Sequence, residues 1–320
     1  MKKKVVVFSQ LDRRILDKLQ AQYHVVEINP KLGDVNQQIL QEVKDADGMI
    51  GAGRLLNQDN LSSATKLKVI SSISVGYDNY DINYLNEKKI WLCNTPHVLT
   101  ETTADLAFTL LMSAARNVAS LDSWTKSGQW ARTVSSLQFG QDIFAKKLGI
   151  IGLGNIGAAI ARRGFYGFNM DILYHNRHEK PEIAQSLNAQ YCSLTELLQY
   201  SDFIVIAVDL NQESKALIGA EQFAQMQKHA VVVNIARGSV IDEKALIHAL
   251  KTNQIFAAGL DVYEKEPLQE SELFQLKNVV TLPHVGSATA ETRLKMAELA
   301  YANLVAVLEG GIPKYIVNPS

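Results

Sequence analysis

Apolar residues come along this chain in short β-branched runs. Longer stretches, in which apolar positions recur every three to four residues, separate them. The runs Val5-Val-Val-Phe8, Val25-Val26, Met49-Ile50, Val69-Ile70 and Ile90-Trp-Leu92 occupy the first hundred residues, with helical patterns from Asp12 to Tyr23 and from Val35 to Val43 between them. Strands separated by helix-length segments predict a parallel sheet with crossover helices. Runs that are apolar at nearly every position suit strands covered on both faces. The alternation resumes at Lys147-Leu-Gly-Ile-Ile-Gly152. It continues through Met170-Asp-Ile-Leu-Tyr174, Phe203-Ile-Val-Ile-Ala-Val208, Ala230-Val-Val-Val-Asn-Ile235, Ala257-Ala-Gly-Leu-Asp-Val262 and Val279-Val-Thr-Leu282. The pattern predicts two doubly wound α/β units in succession.

Between the units, Thr100 to Trp124 reads as one long helix, small and apolar almost all round. Such a helix is buried, either in a core or against a second copy of itself. Gly128 to Phe144 reads as a surface loop that embraces a partner subunit. A last amphipathic helix runs from Thr289 to Leu308 and stops at Gly310-Gly311, leaving the short tail Ile312–Ser320.

Length and composition narrow the class. A chain of 320 residues predicts two domains. The 32 basic and 33 acidic side chains leave a net charge of −1, without the basic surplus of a nucleic-acid binder. No apolar run reaches the roughly 20 residues of a membrane helix. The N-terminal Met1–Phe8 stretch is too short in apolar residues for a signal peptide and reads as a first strand. Cys93 and Cys192 form neither a disulfide framework nor a metal-ligand spacing. A soluble cytoplasmic protein is expected, without membrane or nucleic-acid partners and without a metal.

Candidate chemistry begins at Gly152-Leu-Gly154-Asn-Ile-Gly157, a G-x-G-x-x-G string that follows an apolar strand and opens a helix. In that context Gly152 permits the tight turn, Gly154 lets a pyrophosphate approach the backbone, and Gly157 lets the helix pack on the strand. The helix N-terminus then faces the phosphates. About 20 residues on, an NAD-binding fold carries an acid for the adenosine ribose. Here the strand ends in His175-Asn176-Arg177-His178 instead. A guanidinium suits a 2′-phosphate, so this loop favours NADPH over NADH. Three polar residues follow later strands: Arg237, Glu266 and His284. Ligands of open α/β sheets bind beyond the carboxyl ends of the strands. There Arg237 can fork onto a carboxylate, His284 can move a proton, and Glu266 can hold the imidazolium.

These features resemble the D-isomer-specific 2-hydroxyacid dehydrogenase family over nearly the whole chain. The carrying strings are Ser74-Val-Gly-Tyr-Asp-Asn79, Thr102-Thr-Ala-Asp-Leu-Ala107, Leu148–Gly157, Asn234-Ile-Ala-Arg-Gly-Ser239, Gly259-Leu-Asp-Val-Tyr-Glu-Lys-Glu-Pro267 and Pro283-His-Val-Gly-Ser-Ala288. Phe168–Tyr174 and Gly219–Met226 are similar to the bacterial glyoxylate/hydroxypyruvate and 2-ketogluconate (2-ketoaldonate) reductase branch, which prefers NADPH. The resemblance implies catalytic roles for Arg237, Glu266 and His284, and a substrate-carboxylate loop at Val75 and Gly76. It implies cofactor contacts at Asn155, Ile156, Ile235, Ala236, Asp261 and Gly286, with Ser287 beside them. Asp209 departs from the proline common in relatives, on the adenosine side. The implied fold is a Rossmann cofactor domain, residues 100–289, nested in a flavodoxin-like substrate domain, residues 1–99 and 290–320. A homodimer is implied, with the helix after Thr102 at its interface. The implied reaction is reduction of a small 2-keto acid, such as glyoxylate, hydroxypyruvate or 2-keto-D-gluconate. Phosphoglycerate or D-lactate dehydrogenases and a dinucleotide-sensing corepressor share the fold and remain alternatives. Arg54 and Leu55 are candidates for substrate choice.

Overall fold

In a computed structural model the described residues are 2–318. Met1, Pro319 and Ser320, with the ends of the N-terminal run and of the tail, lie outside the described residues. Contacts divide the chain into two compact units: one contiguous from Thr100 to Ser287, the other made of the segment before it and the segment after it.

The two-segment unit is built on five parallel strands: β1 (Lys4–Val7), β2 (His24–Glu27), β3 (Gly48–Gly51), β4 (Val69–Ser72) and β5 (Trp91–Cys93). Their order is β2-β1-β3-β4-β5, the flavodoxin-like arrangement. Strands β3 and β4 are buried at every position, as strands covered on both faces are, and buried Ser71 in β4 satisfies its hydroxyl by donating to Ala300 O at 2.8 Å. The C-terminal helix Ala290–Leu308 packs on β3, β4 and β5 and on the helix Arg13–Gln22. Its buried stripe includes Met296, Ala297, Ala300, Leu304 and Leu308. The tail then runs beside β5: Val317 N–H donates to Leu92 O at 2.8 Å, and the Asn318 side chain accepts from Leu92 N–H at 2.6 Å.

The contiguous unit carries seven parallel strands: β6 (Lys147–Ile151), β7 (Asp171–His175), β8 (Gln190–Tyr191), β9 (Phe203–Ile206), β10 (Val231–Asn234), β11 (Ala257–Leu260) and β12 (Val279–Thr281). The order β12-β11-β10-β9-β6-β7-β8 reverses between β6 and β9, the switch point of a Rossmann sheet. Strand β8 has only two residues, too few to show as an apolar run.

The long helix expected over Thr100–Trp124 is two helices, Thr100–Ala115 and Val118–Lys126. Asn117 between them adopts the left-handed conformation (φ 53°), which asparagine tolerates better than most residues. The first helix spends its apolar face within its own unit. Ala104, Ala107, Leu110 and Leu111 are buried, and the helix packs on β10, β11, β12 and the helix Asn155–Phe168. A second copy is not needed to explain that burial. The segment after Gly128 is mostly exposed and includes one short 3-10 turn, Ser136–Gln138.

Candidate active site

Strand β6 ends in the glycine turn, at the switch point. Gly152 takes a positive φ of 101°, and its N–H donates to His175 O at 3.0 Å, tying the turn to the end of β7. The helix Asn155–Phe168 starts directly after Gly154. A Cβ on Gly157 would lie 2.1 Å from the Gly152 carbonyl oxygen, so only glycine permits this contact between helix and turn. A Cβ on Gly154 would meet nothing within 4 Å. Space is therefore open beside the backbone at the helix N-terminus, where N–H groups such as those of Ile156 and Gly157 concentrate positive potential. These features fit a dinucleotide pyrophosphate.

The loop after β7 is locked to that turn. Asn176 Oδ1 accepts from Leu153 N–H at 2.6 Å, and its carbonyl accepts from Tyr191 OH at 3.1 Å. His175 Nδ1 lies 3.0 Å from Cys192 O, and its ring stacks on Tyr191. No acid stands at the strand end. Arg177 Nη1 instead meets Glu213 Oε2 at 3.2 Å, in an exposed ion pair. Sequence reasoning selected Arg177 but not Glu213, which comes from a loop beyond β9.

Arg237, Glu266 and His284 are brought to the ends of β10, β11 and β12 within this unit. Asn234 is buried. Its Nδ2 donates to Arg237 O and its Oδ1 accepts from Ala236 N–H, both at 3.0 Å, which fixes the chain as it leaves β10. The Arg237 guanidinium donates to Ala236 O at 2.9 Å. Ile235 and Ala236 are buried between Asn234 and Arg237. A Cβ on Gly238 would lie 1.8 Å from Tyr263 C, so backbone meets backbone where the β10 loop crosses the β11 loop. Tyr263 in turn donates its OH to Leu282 O at 2.9 Å, tying the β11 loop to the end of β12.

Glu266 is oriented from both sides. Its Oε1 accepts from Tyr263 N–H at 3.0 Å, and its Oε2 lies 2.7 Å from His284 Nδ1. Partial burial pushes the Glu266 carboxyl upward. The His284 hydrogen bond, the Tyr263 N–H and the charges of His284 and Arg237 outweigh it and hold the group below the usual carboxylate range. His284 itself has φ 54°, a strained conformation for a non-glycine residue. The next residues pin it there. Asp261, 2% exposed, accepts from Val285 N–H at 2.7 Å and from Gly286 N–H at 2.8 Å. Burial pushes the Asp261 carboxyl up, and those two N–H groups and the His284 charge only partly offset this. With Nδ1 engaged by a carboxylate, Nε2 is the nitrogen left to exchange a proton with a substrate. Ser287 ends the contiguous unit.

Val75 and Gly76 belong to the two-segment unit, in the loop after β4. That loop is held by Asn94, whose Nδ2 donates to Val75 O at 2.9 Å, and by Thr95 N–H to Ser74 O at 2.9 Å. Leu55 is exposed and Arg54 Nε donates to Phe8 O at 3.4 Å. Asn94, Asn234, Gly238 and Tyr263 were not singled out from the sequence. Asn234, Gly238 and Tyr263 sit inside strings already noted, but only the folded contacts give them tasks. Among the described residues no group of three or more His, Cys, Asp or Glu is placed to hold a metal ion, and no helix is long and apolar enough to cross a membrane.

A parallel sheet with a glycine turn at its switch point defines a dinucleotide-binding α/β protein. Residues 108–286 match the family model described as "D-isomer specific 2-hydroxyacid dehydrogenase, NAD binding domain". The chain is 46% identical over 320 residues to the glyoxylate/hydroxypyruvate reductase B of Erwinia tasmaniensis, covering 100% of both chains. Among solved structures it is similar to the TT0316 protein of Thermus thermophilus (36% identity, TM-score 0.88, 98% of this chain and 99% of that one). It is also similar to the NADPH-dependent glyoxylate/hydroxypyruvate reductase of Sinorhizobium meliloti, solved with NADP and malonate (30% identity, TM-score 0.88, 99% of this chain and 97% of that one). The chain belongs to the D-isomer-specific 2-hydroxyacid dehydrogenase family.

Proposed function

We propose that this chain is an NADPH-dependent reductase that converts small 2-keto acids to D-2-hydroxy acids, with glyoxylate, hydroxypyruvate and 2-keto-D-gluconate as candidate substrates. The observation that carries the chemistry is the 2.7 Å contact of Glu266 with His284, with the Arg237 charge close enough to act on the same carboxylate. In this reading the contiguous unit, Thr100–Ser287, is the cofactor domain, which the sequence places at 100–289. The remainder is the substrate domain, which the sequence places at 1–99 and 290–320. The names of the relatives support glyoxylate and hydroxypyruvate. Support for NADPH comes from Arg177 in place of an acid after β7.

The cofactor is held at Gly152, Gly154, Asn155, Ile156 and Gly157, by the His175-Asn176-Arg177 loop, and near the nicotinamide by Ile235, Ala236, Asp261 and Gly286. When bound, it supplies the hydride that reduces the keto carbon. In the two-segment unit the N–H groups of Val75 and Gly76 are the candidates for the substrate carboxylate; in the contiguous unit the candidate is the Arg237 guanidinium. Arg237 also draws electron density toward the keto oxygen as charge develops there. His284 delivers the Nε2 proton to that oxygen as it becomes an alkoxide. Glu266 stays ionised and stabilises the imidazolium through Nδ1 before the proton leaves. The proton balance is restored from solvent through the half-exposed imidazole. In this reading the protein works in the cytoplasm as a homodimer, without membrane or nucleic acid.

The deciding experiment replaces His284 by Ala. Turnover of glyoxylate should fall by about 10²–10⁴-fold, the usual contribution of a positioned acid, with NADPH affinity nearly unchanged. Wild-type turnover in that variant removes the assignment. A panel of glyoxylate, hydroxypyruvate, 2-ketogluconate and pyruvate, each with NADPH and NADH, ranks substrates and cofactors.

A further inference from the structure

Arg177 and Glu213 reach their ion pair from opposite sides of the strand that carries the glycine turn. Strand β6 lies between β7 and β9, with Ile151 in register with both His175 and Ile206. Arg177 stands two residues past β7, and Glu213 stands in the loop past β9. Their contact at 3.2 Å therefore spans the carboxyl end of β6, next to Gly152.

Both partners are presented by fixed backbone. Arg177 follows Asn176, which is bonded to Leu153 of the turn. Glu213 sits in a turn organised by Asn211, whose Oδ1 accepts from Glu213 N–H at 2.9 Å and Ser214 N–H at 3.0 Å. Buried Ser214 closes the turn by donating to Asp209 O at 2.7 Å. The loop thus sets one carboxylate on the guanidinium, and its other acid, Asp209, stands at the start of the same turn.

We propose that Glu213 is a specificity-setting residue that limits discrimination between NADPH and NADH by occupying Arg177. The inference rests on the reading of Arg177 as the partner of the 2′-phosphate. A phosphate dianion arriving at Arg177 must displace the Glu213 carboxylate and then lie beside it, two negative groups on one guanidinium. A ribose 2′-hydroxyl meets no such repulsion and can donate a hydrogen bond to the same carboxylate. Glu213 therefore supplies, from the β9 side, the acid that the end of β7 lacks. The pair is exposed on both sides, so it opens readily: it lowers the preference for NADPH without blocking the site.

The test measures cofactor affinity directly, by nicotinamide fluorescence on the full chain with no keto acid present. It compares the wild type, Glu213→Gln, Arg177→Gln and the double variant. In Glu213→Gln the ratio of the NADH to the NADPH dissociation constant should rise by about two- to tenfold, the range for removing one exposed competing charge. The rise should vanish in the Arg177→Gln background. An unchanged ratio in Glu213→Gln, or an equal shift for both cofactors, overturns the role of Glu213 while Arg177→Gln still lowers the ratio. If Arg177→Gln leaves the ratio as it was, the reading of Arg177 fails and the role of Glu213 with it.

Discussion

Gly154 and Gly157 share one turn, and alanine at each should have opposite consequences. At Gly157 an added Cβ would lie 2.1 Å from the Gly152 carbonyl oxygen and 3.0 Å from Ile150 Cγ2. The nearer atom is backbone and cannot swing aside. Helix and turn must separate, at a cost of about 1–3 kcal/mol or more for forced overpacking. At Gly154 the Cβ meets nothing within 4 Å, and φ −87° with ψ −160° is open to any residue. Folding should lose about 1 kcal/mol or less there, the difference between glycine and alanine at a helix N-cap. The open space is where a pyrophosphate would lie, so the methyl group pushes it off the helix N-terminus. Losing one charge-assisted hydrogen bond there costs about 1.5–3 kcal/mol, or roughly 10- to 150-fold in NADPH affinity. Thermal melts without cofactor and fluorescence titration with NADPH separate the two. Gly154→Ala should melt within about 2 °C of wild type and bind NADPH weakly. Gly157→Ala should melt several degrees lower. Wild-type NADPH affinity in Gly154→Ala would refute the placement of the pyrophosphate.

Glu266→Gln should lower kcat for keto-acid reduction by about tenfold or more, since an amide cannot stabilise an imidazolium as a carboxylate does. Because the Glu266 carboxyl is held below the usual carboxylate range, its pairing stabilises the fold above the unfolded carboxylate's range and is lost as pH falls through the depressed value. The difference in melting temperature between wild type and Glu266→Gln should therefore shrink from pH 7 to about pH 3.5; a constant difference contradicts this. Asn234→Ala leaves the Arg237 carbonyl and Ala236 N–H without their buried partner. It should destabilise by about 1–3 kcal/mol and raise KM for the keto acid, while NADPH affinity changes less. Burial pushes the Cys93 thiol up to about 12 and raises that of Cys192, so neither should react with a thiol reagent near neutral pH until the chain is unfolded.

Much of the architecture is legible along the chain because parallel strands covered on both faces must be apolar throughout. Val231–Val233 and Phe203–Ile206 announce themselves in this way. Gln190–Tyr191 does not, because two residues form no pattern. The helix over Thr100–Ala115 is equally plain, but its end is not. The break at Asn117 is a single left-handed residue inside a sequence that continues to look helical. The glycine turn is readable because its spacing is local, set by one strand, one turn and one helix.

By itself the sequence determined what depends on neighbours along the chain: two α/β units, the glycine turn, and a basic loop where an acid would bind a ribose. It also supplied Arg237, Glu266 and His284 as separate candidates at strand ends. Tertiary structure alone decided how those ends meet. Gly238 lets one loop touch the backbone of the next, Tyr263 ties β11 to β12, and Asp261 holds the residues after His284 so that its ring reaches Glu266. Only the order β9-β6-β7 sets Glu213 against Arg177, 36 residues away in the chain. The physical reason is range. Periodicity and turn propensity act over a few residues, whereas a hydrogen bond or an ion pair between loops depends on which strands lie side by side.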